Sequence, residues 1–217
     1  MLRKFVVKDK RFTQQNRMEG TELSNTNSTG NLCPILETSR YIIRAFEKTD
    51  LTVFAQYRAD KNVARYQSWS NYTYQDAVKL FERMDYSTFG SLGHWYQLAI
   101  EQKSSKTLVG DLAVHFIDQE KMEVGFTVSA ENQREGVAFE ALSALLDYLF
   151  FTLNKQKIVA FVDMKNDASY KLLEKTGFKR TANLKADDSP QAGWGDEYFY
   201  IKLRSMHSHS IKINDNK

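Results

Sequence analysis

Between an apolar run ending at Val128 and a long amphipathic stretch reaching Phe151 lies the polar segment Ser129-Ala130-Glu131-Asn132-Gln133-Arg134-Glu135-Gly136. The chemistry open to such a junction is anion binding. The first N–H groups of a helix have no partners within it, and the helix dipole adds partial positive charge there, so a phosphate is the natural guest. Ala138, Ala141, Leu142, Leu145, Tyr148 and Leu149 recur at three- and four-residue spacing, with Glu140, Ser143 and Asp147 on the opposite face, which predicts the helix. Neither Gly-x-x-x-x-Gly-Lys-Ser/Thr nor Gly-x-Gly-x-x-Gly is present, which argues against a nucleotide hydrolase and a dinucleotide-binding fold. His207 and His209 share a polar tail without acidic or cysteine neighbours, so no metal site is expected.

The elements around this junction follow from pattern. Glu37 to Phe46 reads as a first strand, followed by a helix-start signal at Thr49-Asp50. Leu51, Phe54, Ala55 and Arg58 mark a short helix, and Ala77, Leu80, Phe81 and Met84 a second. Three short strand-like runs, Trp95–Ile100, Thr107–Phe116 and Met122–Val128, are joined by brief turns and predict an antiparallel meander. Gly125 inside the third suggests a bulge there. After the central helix, Lys157–Val162 is a compact apolar run expected to lie parallel to Met122–Val128. A short helix over Asn166–Lys175 and a last strand around Glu197–Leu203 complete the domain.

The 217 residues fit one domain with tails, and 42% hydrophobic with 13% aromatic content supports a packed core. Residues 1–36 read as a poorly ordered extension, 37–204 as the domain and 205–217 as a polar tail. A net charge of +3 is too small to argue nucleic-acid binding, and the six basic and three acidic residues among positions 1–22 read chiefly as a solvated arm. The apolar stretch Phe5–Val7 is too short for a secretory signal, and no window approaches a membrane span. With a single cysteine, Cys33, a cytoplasmic setting is expected.

Gln133-Arg134-Glu135-Gly136-Val137-Ala138 resembles the pyrophosphate loop of the GNAT N-acetyltransferase superfamily, and further matches appear in order along the chain. Asn166-Asp167-Ala168-Ser169, followed by Leu172 to Phe178, resembles the family's Asn-x-x-Ser helix ending in Lys-x-Gly-Phe. Arg40–Phe46 resembles its opening strand, and Glu123-Val124-Gly125-Phe126 its central strand. The resemblance covers residues 37 to 204. Its closest likeness is to the RimJ/RimL-like branch of ribosomal-protein-alanine N-acetyltransferases, a branch that also includes enzymes acting on other amines. It implies an α+β fold, a twisted, mostly antiparallel sheet of six to seven strands with flanking helices and a splayed central parallel pair.

The resemblance also implies acetyl-CoA as co-substrate, no metal, and a primary amine as acceptor, either a protein N-terminus or a small molecule. Gln133, Arg134, Glu135, Gly136, Val137 and Ala138 would hold the pyrophosphate, with Gly136 allowing close backbone approach. Val128, Phe126 and Asn166 would line the course of the pantetheine arm. A backbone N–H of the splayed strand would face the charge developing on the thioester oxygen. Ser169 would protonate the departing thiolate, or else serve as part of a helix cap. Glu123 would take the amine's proton, or else be an outward-facing strand glutamate, with His115 a further alternative. The acceptor groove is expected between the early helices and the last strands, near Trp69, Trp95, Tyr96, Trp194, Tyr198 and Tyr200. Asp187, Asp188, Asp196 and Glu197 are candidates to attract a cation. A homodimer is compatible with such a sheet.

Three departures, Ala138 for glycine, Ala130 for proline and Leu173 for tyrosine, keep a second class open: an acyl-CoA-binding module without catalysis. Nucleic-acid binding through the basic extension has less in its favour.

Overall fold

Strand register decides which side chains can reach a site, and here it is set by alternation along three central strands. The computed structural model describes residues 33–67, 69–185 and 196–208. Its strands are β1 (Leu36–Glu37), β2 (Tyr41–Ala45), β3 (Trp95–Gln102), β4 (Thr107–Phe116), β5 (Lys121–Val128), β6 (Lys157–Asp163), β7 (Lys179–Leu184) and β8 (Glu197–Leu203). They form one sheet in the order β1-β2-β3-β4-β5-β6-β8-β7. All neighbours are antiparallel except β5 and β6. The helices are α1 (Leu51–Ala59), α2 (Lys61–Ala64), α3 (Tyr74–Phe81), α4 (Val137–Asp147) and α5 (Asp167–Lys175).

The two faces of the sheet carry different cores. On one, Leu98, Leu112, Val114, Met122, Ile158 and Ala160 pack against Ala141, Leu142, Leu145 and Leu149. Each fully buried leucine there contributes about 1.5–3 kcal/mol. On the other, Phe46, Phe54, Tyr57, Ala77 and Leu80 join α1 and α3 over Ala99 of the sheet. Trp95, His115 and Glu123 share a row on this second face, as do Gln97, Ala113 and Gly125, and Ala99, Asp111 and Thr127.

The parallel pair is short. Lys121, Met122 and Glu123 face Lys157, Ile158 and Val159, and pairing then stops although both strands continue. This is the expected splay, reached without the expected bulge at Gly125. The β4–β5 ladder runs unbroken from Gly110↔Val128 to Phe116↔Met122, and register shifts lie instead at Ile100/Glu101 and Arg180/Ala182. A Cβ on Gly125 would meet only the Ala113 side chain at 3.7 Å, whereas one on Gly110 would fall 2.5 Å from the Thr127 carbonyl oxygen. Gly110 is therefore the glycine required by close backbone approach.

Among the described residues the sheet has eight strands rather than six to seven. A turn at Thr38, whose hydroxyl accepts from the Tyr41 N–H, separates β1 from β2. Strand β7 carries Lys179, Arg180 and Thr181 in the open at the sheet edge, where no apolar alternation is needed. Asp147 also departs from expectation. It is buried, with Oδ1 2.6 Å from His207 Nε2, because the chain following β8 folds back onto the end of α4. The partner that His207 lacks in sequence comes from α4. Cys33 and Leu36 pack against the core, while residues 1–32 and 209–217 lie outside the described part. Among the described residues no helix is long and apolar enough to cross a membrane.

Gly110→Ala should therefore lower stability by about 1–3 kcal/mol through overpacking, while Gly125→Ala leaves the urea midpoint nearly unchanged. Unfolding of both variants at constant m checks this.

Candidate active site

The junction after β5 is built by short-range bonds. The Ser129 N–H donates to the Val109 carbonyl at 3.0 Å, Asn132 Nδ2 to Ser129 Oγ at 2.8 Å, and Gln133 Nε2 to the Val128 carbonyl at 3.1 Å. Arg134 (φ 66°) and Gly136 (φ 79°) both adopt left-handed backbone, which turns successive N–H groups toward one concavity. Among the described residues, the N–H groups of Arg134 through Phe139 make no backbone hydrogen bond. Val137 is buried and anchors α4 in the core, which fixes the cradle against the sheet.

Arg40, at the start of β2, braces the outside of the loop. Its Nη1 donates to the Glu135 carbonyl at 2.9 Å and its Nε to Glu140 Oε2 at 2.8 Å, while its backbone N–H donates to Glu140 Oε1 at 2.8 Å. Burial pushes the Glu140 carboxyl up, but hydrogen bonds from Thr38 and Arg40 outweigh it and hold the group below its ordinary range. Glu140 thus stays ionised in the first turn of α4, and Arg40 offsets a charge that would repel a phosphate. A Cβ on Gly136 would meet Arg40 Nη2 at 3.2 Å in addition to the strain of its positive φ.

From this cradle the unpaired stretch of β5 leads inward. Phe126 and Val128 are half-buried along it. Between Glu123 and Val128 the strand advances about 16 Å at ~3.3 Å per residue, a groove with an unpaired backbone edge. Asn166 follows β6 and caps α5, its Oδ1 accepting from the Ser169 N–H at 3.2 Å. The Ser169 N–H is thus used by the cap, but its hydroxyl makes no hydrogen bond among the described residues. Leu173, one turn on, is 1% exposed within the core.

Glu123 is not an outward-facing strand residue. It is 3% exposed and stands at the apex of the splay, the last β5 residue paired with β6. Its Oε2 lies 3.9 Å from His115 Nδ1, and the Trp95 ring stacks on His115 at 4.7 Å and 11°. On the same face, a cavity of about 380 Å³ separates the sheet from α1 and α3, with Trp69, Trp95, Asp111, Gly125 and Phe126 in its lining. Glu123 does not itself line this cavity; it shares a row with Trp95, which does, and the Gln133–Ala138 cradle lies at the far end of the groove.

Other expectations for the groove fare unevenly. Trp69 and Trp95 line the cavity, but Tyr96 points to the other face, packed on Phe89 and Phe116. Tyr200 is also interior, its hydroxyl donating to Glu174 at 2.8 Å, and Tyr198 sits edge-on to Tyr170. Asp196 pairs with Lys185 at 2.8 Å, and Glu197 is fully buried. Trp194, Asp187 and Asp188 lie outside the described residues. Sequence reasoning missed the cavity floor. There Asp111, fully buried, accepts from Tyr57, from Gln97 and from Arg58 Nη2, the last at 3.0 Å. The signal was an arginine on the apolar face of α1 and an aspartate within an apolar strand.

The described residues hold no group of three His, Cys, Asp or Glu side chains placed to bind a metal. A family model described as an acetyltransferase (GNAT) domain matches residues 40–179. The chain belongs to the GNAT acetyltransferase family. The GNAT chain is 31% identical over 159 residues to an uncharacterized N-acetyltransferase, YoaA, of Bacillus subtilis, covering 70% of this chain and 86% of that protein. A crystal structure of a GNAT-family acetyltransferase from Bacillus anthracis aligns with a TM-score of 0.69 at 24% identity, covering 79% and 99% of the two chains. Spermidine N-acetyltransferase from Vibrio cholerae, in complex with CoA and spermine, aligns at 0.66 and 22% identity, covering 78% and 98%. These two likenesses are of fold.

The buried Arg58–Asp111 pair makes a testable demand on stability. Asp111→Ala should cost about 3–5 kcal/mol by leaving the guanidinium uncompensated, and the double variant Arg58→Met/Asp111→Leu should cost less than that single change. Urea unfolding of the three proteins decides it.

Proposed function

We propose that this GNAT acetyltransferase moves an acetyl group from acetyl-CoA to a primary amine, by direct attack with both substrates bound. The observation that carries the proposal is the end of β5–β6 pairing at Glu123. It opens a groove with an unpaired strand edge, a ring of free N–H donors at its mouth and a buried carboxylate at its apex. The residues suit acetyl-CoA. N–H groups from Arg134 to Ala138 would receive the pyrophosphate, with Gly136 leaving room for it. The open edge of β5, with Phe126 and Val128, would pair with the pantetheine amides. Bound there, acetyl-CoA supplies an activated thioester carbonyl.

Glu123 accepts a proton from the acceptor ammonium, and the lone pair so freed on nitrogen bonds to the acetyl carbon. Ser169 donates a proton toward the sulfur as the C–S bond breaks, and the second proton lost by the nitrogen restores its hydroxyl. The cavity suits a small amine, or the first residues of a peptide. A ribosomal-protein substrate, as in the RimJ/RimL-like branch, belongs to the peptide arm of the test. One observation favours a second reading, a binding module without turnover: the position where many relatives carry a tyrosine is Leu173, sealed in the core.

Calorimetric titration with acetyl-CoA, followed by free-thiol release over amines and N-terminal peptides, separates the two. Binding with turnover is the expected result, and binding without any turnover favours the module. Gly136→Glu should abolish acetyl-CoA binding while circular dichroism stays native; retained affinity overturns the loop assignment. Ser169→Ala and Glu123→Gln should each lower kcat by about 10²-fold or more at nearly unchanged acetyl-CoA affinity.

A further inference from the structure

Among the described residues, the cavity on the Glu123 face of the sheet is short of available negative charge. Its lining among these residues holds three cationic side chains, Arg58, Lys79 and Arg83, and two carboxylates, Asp76 and Asp111. Both carboxylates are engaged. Asp111 is committed to Tyr57, Arg58 and Gln97. Asp76 closes the N-terminal cap of α3, accepting from the Thr73 N–H at 3.0 Å and the Thr73 hydroxyl at 2.6 Å. These bonds hold its carboxyl below the ordinary range.

The cations are less committed. Lys79 and Arg83, four residues apart along α3 and its continuation, form no ion pair among the described residues. Arg58, sandwiched 4.0 Å over the Trp69 ring, keeps a buried Nε without a hydrogen-bond partner. A polycation entering this cavity would meet Lys79 and Arg83 at α3, opposed by Asp76 alone once Asp111 is paired with Arg58. An amine that also carries an anion would meet complementary charge.

We infer that the acceptor is a primary amine bearing an anionic group, carboxylate or phosphate, which is held toward Lys79 and Arg83 while the amine faces Glu123. This rests on the proposal that the cavity is the acceptor site. It assigns Lys79 and Arg83 as specificity-determining residues, exposed at the rim and outside the chemistry.

The test uses the full chain at saturating acetyl-CoA and compares kcat/KM for 4-aminobutanoate, O-phosphoethanolamine, butylamine and spermidine. At least one anionic amine should lead butylamine and spermidine by about tenfold or more, and which one leads distinguishes carboxylate from phosphate. Lys79→Met/Arg83→Met should erase most of that lead through KM, leaving butylamine turnover and acetyl-CoA affinity unchanged. Spermidine or butylamine matching both anionic amines overturns the inference, as does a lead that survives in the double variant. Calorimetry of the same four amines against the protein gives a readout independent of turnover. Selective binding of an anionic amine that is lost in the double variant supports the inference, and its absence overturns it. Acetyl-CoA titration alone reports on the donor loop, so failure there is distinguishable from failure here.

Discussion

Every backbone N–H and C=O that leaves water must find a partner, and the sheet leaves one stretch of β5 without a strand partner. From Val124 to Val128, β5 is held by β4 on one side only, because β6 diverges after Glu123. The rest of the molecule is arranged around that opening. The α4 core side keeps β5 and β6 in one sheet through Met122, Ile158 and Ala160. The α1–α3 side places a cavity against the open row. Without the divergence, the N–H cradle would have no groove leading from it, and Glu123 would lie beneath a continuous ladder.

Two ionic braces hold this arrangement across large sequence separations. Arg40 joins the start of β2 to the first turn of α4, 100 residues away, and fixes the carbonyl side of the loop so that its N–H side stays free. Arg58 and Asp111, 53 residues apart, tie α1 to the floor of the sheet. The first brace is half exposed and serves geometry more than stability. The second is buried, surrounded by Phe54, Trp69 and Tyr72, and sets the distance between helix layer and sheet.

What could be read from sequence was what is local. The Gln133–Ala138 junction is legible as a loop-to-helix turn because a polar run with one glycine precedes an amphipathic stretch. The Asn166 cap is legible because it binds three residues ahead. The parallel relation of β5 and β6 followed from strand–helix–strand order. Long-range facts were not legible. No local pattern says which face of β3 meets a cavity, so Tyr96 and Trp95 looked alike, although they point to opposite sides. Asp147 at a helical outer position is indistinguishable from a solvated one until His207 arrives from 60 residues downstream. Strand β7 carries no apolar alternation because an edge strand has little to bury.

The burial of Leu173 bears on how this chain could have diverged. A tyrosine at that position would have to push its ring and hydroxyl into a packed interior, at about 1–3 kcal/mol for overpacking, with a polar group to satisfy as well. Replacing Leu173 with tyrosine is therefore not a single neutral step. It needs accompanying changes among the neighbours that now fill the space. Ser169 lies one helical turn earlier, at the rim of the interior, where a small side chain can vary without such rearrangement. The late helix thus carries two different kinds of constraint: Leu173 is held by the packing around it, whereas at Ser169 any constraint falls on the hydroxyl and not on space.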